Sequence, residues 1–105
     1  MQSRNFQTFP NYAARQNILV TGTTNKQTFT APLGGFIYFS WYWNNTNGTA
    51  VNMNINNSDN IFFQGTANNY ARQSGWFPLR KGETFSYKTN KGLGSDSELY
   101  FIPCL

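Results

Sequence analysis

Apolar residues fall in short clusters between Gly, Pro and Asn, and no stretch keeps a helical period. This punctuation predicts strands at 17–21, 26–30, 35–43, 49–56, 60–64, 73–79, 83–89 and 97–103. In 49–56, Val51, Met53 and Ile55 alternate with Asn52, Asn54 and Asn56, which gives one inward face and one amide face. The stretch FIYFSWYW at 36–43 differs, because both of its faces are apolar. Ile37, Phe39, Trp41 and Trp43 share one face and are expected to fill a core. Phe36, Tyr38, Ser40 and Tyr42 share the other, and that face needs a cover.

About eight short strands at 8–12-residue spacing predict an all-β protein, an antiparallel β-sandwich of jelly-roll type. Pro32, Gly34 and Gly35 make the turn before the aromatic strand, 44–48 the hairpin after it, and Lys81-Gly82 a later turn. Residues 1–16 carry no strand signal and are expected to be an entry segment to a single head domain at 17–105.

Composition adds a constraint. Only 11% of the residues are charged while 18% are aromatic, and polarity comes from 15 Asn, 6 Gln, 11 Thr and 7 Ser. Such a surface suits neutral hydrogen-bonding partners, sugars among them, or another copy of the chain. The net charge of +4 is scattered, whereas nucleic-acid binders concentrate it in a stripe, so no nucleic-acid partner is expected. No apolar run approaches the roughly 18 residues of a membrane span, so no membrane insertion is expected.

The candidate chemistry is thin. There is no histidine, which removes the commonest general base and metal ligand, and a Ser or Cys nucleophile has no imidazole partner. Asp96 and Glu98 are two apart and on one strand would share a face at roughly 6.5–7 Å, inside the range of inverting glycosidases. A polar loop-to-strand transition accounts for them better. Cys104 is a lone thiol beside the C-terminal end and reads as a small hydrophobe. No enzyme activity, cofactor or metal is expected.

Several segments carry a family likeness: TFTAPLGGFIYFSW, AVNMNIN, GTANNYA, WFPLRKGETFSY and LYFIPCL. With the turn at Thr30-Ala31-Pro32, Gly35 before an aromatic strand, the turn from Pro78 to Glu83 and the entry Phe9-Pro10-Asn11-Tyr12, the chain resembles the heads that cap phage tail fibres. The resemblance spans nearly the whole chain, although this chain carries no shaft. It implies a head of tumour-necrosis-factor-like or complement-type architecture that trimerises and recognises a bacterial cell-surface receptor. It implies a place on the virion after synthesis in the host cytoplasm. It transfers no binding residue.

The residues themselves suggest where binding would fall. In the binding reading, Trp43, Tyr70 and Trp76 in or near loops 44–48 and 65–72 stack on sugar rings, with Asn44, Asn45, Asn68, Asn69 and Arg72 as hydrogen-bond donors and acceptors; for Trp43 this competes with the place in the core. Phe36, Tyr38 and Tyr42 are expected to face neighbouring copies in a homotrimer. The expected function is a receptor-binding head recognising a surface glycan or protein. The alternative is a capsid-decorating or small lectin-like trimeric sandwich with no part in host adsorption.

Overall fold

Each predicted strand forms, with shifted ends. The computed structural model describes residues 9–44, 50–57, 59–64 and 70–105, with the backbone alone for 43–44, 59–64 and 70–71. The strands are β1 (Gln16–Asn17), β2 (Gln27–Thr30), β3 (Gly35–Asn44), β4 (Ala50–Ile55), β5 (Asp59–Gln64), β6 (Tyr70–Leu79), β7 (Thr84–Thr89) and β8 (Glu98–Pro103). A 3-10 turn covers Tyr12–Ala14.

They form two antiparallel sheets, in the orders β1-β8-β3-β6 and β2-β7-β4-β5. Strand β1 pairs with β8, β2 with β7, β3 with β6, and β4 with β5. The chain therefore runs as one long hairpin, with its tip between β4 and β5, rolled across itself into two layers. Pairing of β3 with β8 and of β4 with β7 closes each sheet. This is a jelly roll. At the tip Asn56 and Asn57 take positive φ (52° and 60°), a region that asparagine enters more easily than most side chains.

The two layers meet on the inner faces. Ile37, Phe39 and Trp41 of β3 pack with Leu99 and Phe101 of β8 against Val51 and Met53 of β4 and Phe85 and Tyr87 of β7. Alternation in β4 holds as expected, with Val51 and Met53 buried and Asn52 and Asn54 on the outer side. Space for the large rings comes from two glycines. A Cβ on Gly75 would lie 2.8 Å from the Phe39 ring, and one on Gly35 would lie 2.7 Å from the Phe101 ring.

Strand β1 is much shorter than the expected 17–21, and the cause is local. The Asn17 side chain accepts the Leu19 N–H (3.0 Å), and the Tyr87 hydroxyl accepts the Val20 N–H (2.9 Å). The segment thus leaves the first sheet after Ile18 and crosses to the second. The two turns singled out in the sequence are clamped together. Ala31 donates to the Glu83 carbonyl (2.9 Å), and Gly82 donates to the Ala31 carbonyl (2.8 Å). The Glu83 carboxylate accepts from the Arg80 N–H (2.7 Å) and from Asn56 Nδ2 (3.0 Å). These bonds, the one from Arg80 first, hold its carboxyl below the usual carboxylate range. The entry segment is bonded to the head from Phe9 onward: Leu105 donates to the Phe9 carbonyl, Pro10 bridges Cys104, and Asn11 donates to the Pro103 carbonyl (2.7 Å).

Candidate binding face

The second face of the aromatic strand looks outward from the first sheet, and its own neighbours cover much of it. The register lays the outer side chains in cross-strand rows. Ile102, Phe36 and Pro78 form one row, and Tyr100, Tyr38 and Trp76 the next. Glu98, Ser40 and Ser74 follow, then Tyr42 and Arg72. The face grades from apolar to polar within a few residues.

At the polar end Arg72 is committed to the fold. Its Nη1 donates to Ser40 Oγ (2.7 Å), its Nη2 donates to the Asp96 carbonyl (3.0 Å), and its guanidinium lies 5.0 Å from the Tyr42 ring centroid. Ser40 Oγ also shares a 2.7 Å bond with Ser74 Oγ. The side chain expected to offer hydrogen bonds to a ligand thus ties β6 to β3 and to the loop before β8. Asp96 lies in that loop rather than on a strand, and Ser97 beside it is buried, accepting the Tyr42 N–H at 2.9 Å. The strand spacing assumed for the carboxylate pair does not apply to Asp96.

At the apolar end a groove of about 190 Å³ is lined by Pro10, Tyr12, Phe36, Tyr38, Trp76 and Ile102, with a wholly apolar floor. Trp76 is 64% exposed and Tyr12 55%. Phe36 is only 9% exposed, because the Trp76 ring meets it edge-on at 5.1 Å. Tyr38 and Tyr100 stack at 6.3 Å with 12° between their planes. Arg15 lies over both Tyr12 (4.2 Å) and Tyr100 (5.4 Å), and so fixes the 3-10 turn against the sheet. Among the described side chains, the outer face of the other sheet presents Asn52, Asn54, Thr28 and Lys88.

The expected site residues therefore separate. Asn45, Asn68 and Asn69 lie outside the described residues. The backbone of Trp43 and Asn44 belongs to the end of β3, and Asn44 pairs in register with Tyr70. Tyr70 and Arg72 stand on β6, so the expected 65–72 loop ends before them. Trp76 lies six residues farther along, about 20 Å away at roughly 3.4 Å per residue, and shares no site with the loop ends. It stands instead directly opposite Tyr38, so residues assigned to ligand and to subunit contact occupy one surface. Of the groove, the sequence reading missed Pro10, Tyr12 and Ile102, and with them the supporting Arg15 and Tyr100. Their signal was an aromatic and a cation three apart, Tyr12 and Arg15, in a segment without strand periodicity.

Comparison with protein-family models finds no match, and comparison with curated proteins finds no relative. The likeness to phage tail-fibre heads stands on the short motifs quoted above.

Proposed function

We propose that the chain is the receptor-binding head of a phage tail fibre or related virion protein, recognising a bacterial cell-surface glycan or protein without chemical turnover. The observation that carries this reading is the exposed aromatic groove on the outer face of one sheet, where the described side chains on the outer face of the other are amides, hydroxyls and a lysine. Exposed, rimmed aromatic surface marks a contact site, and side chains mounted on strands keep their geometry better than side chains on loops. The tail-fibre motifs supply the setting, a virion assembled in the host cytoplasm.

The same reading makes the head a homotrimer. Phe36, Tyr38 and Tyr42 do not supply its contact in this reading, because their own chain covers part of each and Phe36 and Tyr38 line the open groove. Phe9, Leu33 and Leu105 are exposed at the end of the sandwich next to Pro10 and Cys104, and add apolar area there. Light scattering on the purified head should give three times 12.0 kDa. A fluorescent head should adhere to cells of some strain in a bacterial panel. A monomeric mass overturns the trimer, and adhesion to no strain overturns the receptor-binding role.

A further inference from the structure

We propose that the groove is a saccharide subsite in which one neutral pyranose ring stacks on Trp76. The inference rests on the receptor-binding reading and commits it to a glycan rather than a protein.

Size is the first argument. Pockets for drug-sized molecules run to about 300–1,000 Å³, and this groove has about 190 Å³. One ring fills it. Tyr12 and Trp76, a little over half exposed, offer together roughly 200–300 Å² of aromatic surface, at 150–250 Å² for a whole side chain. A stable protein interface takes about 800 Å² from each partner. The groove is too small to be the core of one.

Chemistry is the second. A pyranose has an apolar C–H face and a periphery of hydroxyls. The floor here is wholly apolar, matching the first. For the second, the hydroxyls of Tyr12 and Tyr38 and the indole N–H of Trp76 belong to the lining side chains but lie outside that floor, and Ser74 and Glu98 stand in the next row. Among the described residues no charged side chain lines the groove, so none of them selects a charged sugar.

Preorganisation is the third. Trp76 is exposed yet braced edge-on by Phe36 and set opposite Tyr38. An aromatic already held in place loses little conformational entropy when a ligand covers it.

The test is an NMR titration of the labelled head with glucose, galactose, mannose and N-acetylglucosamine, followed by an array of bacterial surface glycans. At least one should shift the Trp76 indole resonance together with signals of Tyr12 and Tyr38. Trp76→Ala should weaken that binding at least tenfold and Tyr38→Phe, which removes only a hydroxyl, several-fold, while Asn54→Ala on the other sheet leaves it unchanged. Binding that survives Trp76→Ala, or no saccharide bound at all, overturns the subsite. A head that adheres to cells stripped of surface glycan overturns it too, and in that case leaves the receptor-binding role standing with a protein receptor.

Discussion

Phe36 braces Trp76 across a diagonal of the β3–β6 pair, with ring centroids 5.1 Å apart and 68° between the planes. The register sets Phe36 opposite Pro78 and Trp76 opposite Tyr38, so the contact links two neighbouring rows. An edge-to-face pair is worth about 0.5–1.5 kcal/mol beyond area burial. Phe36→Ala removes that contact and bares part of Ile102. We expect a loss of about 2–3 kcal/mol in urea unfolding, below the 3–5 kcal/mol of a fully enclosed phenylalanine, because the site opens to water on one side. The exposed indole should then become mobile, seen as lowered fluorescence anisotropy in a variant keeping Trp76 as its one tryptophan.

Adjacent glycines give a sharper contrast. A Cβ on Gly35 would lie 2.6 Å from the Ile102 carbonyl oxygen and 2.7 Å from the Phe101 ring, while nothing stands within 4 Å of one on Gly34. Backbone on one side and a core ring on the other leave no direction to relax. Gly35→Ala should cost about 3 kcal/mol or more or leave the head insoluble, whereas Gly34→Ala should stay within about 0.5 kcal/mol of the parent. Equal unfolding midpoints for the two would contradict this packing.

Strand positions were legible in the sequence because alternation and turn residues are local. Val51, Met53 and Ile55 declare their face without knowledge of any partner. The candidate site was not legible, because its lining comes from the entry segment, β3, β6 and β8. These meet only when the long hairpin rolls up. The sequence marks Trp76 as a candidate for ligand contact, and it is exposed, but its neighbours stand across the ladder rather than in the nearest loop. Arg72 shows the converse error: a basic side chain near a polar loop looked available, and its partners Ser40 and Asp96 lie 32 and 24 residues away.

Glu83 makes the clamp between turns sensitive to acid. Its folded carboxyl titrates below the ordinary value of 4.5, first through the Arg80 N–H and then through Asn56. A depressed folded pKa means that the contribution is complete above 4.5 and disappears as pH falls through the lower folded value. Glu83→Gln should therefore be less stable than the parent at pH 7, and the gap should narrow as the pH is lowered through 4.5 and below. A gap that stays constant as the pH falls would show that the carboxylate charge is not what holds the turns.

Trp41 and Gln73 stand directly opposite each other on the inner face, and each buries a polar atom, Nε1 and Oε1, without a partner among the described residues. An unsatisfied buried acceptor costs about 1–3 kcal/mol. Gln73→Leu exchanges that acceptor for apolar volume, so unfolding should show stability unchanged or raised by about 1 kcal/mol. A loss as large as that of Phe36→Ala would mean that Oε1 has a partner.

Tyr87 supplies the last prediction. Its hydroxyl accepts the Val20 N–H at 2.9 Å and donates to the Val20 carbonyl at 3.4 Å, so one phenol holds both polar groups of a residue 67 positions away. The bond pins the segment that leaves β1 to the opposite sheet. Burial raises the phenol above its ordinary value of 10, and the Val20 bond opposes this only in part. A raised folded pKa leaves the contribution complete below pH 10 and removes it only as pH rises through the folded value. Tyr87→Phe keeps the ring between Trp41 and Phe85 and removes the oxygen alone. Val20 is partly exposed, so water can replace that oxygen, and the cost should be about 1–1.5 kcal/mol rather than the full penalty of a buried orphan. Hydrogen exchange at the Val20 amide should quicken by at least tenfold, while the amide of Ile18, bonded to the Leu99 carbonyl, keeps its protection. If both amides quicken together, the hydroxyl holds the whole β1 edge rather than the crossing segment.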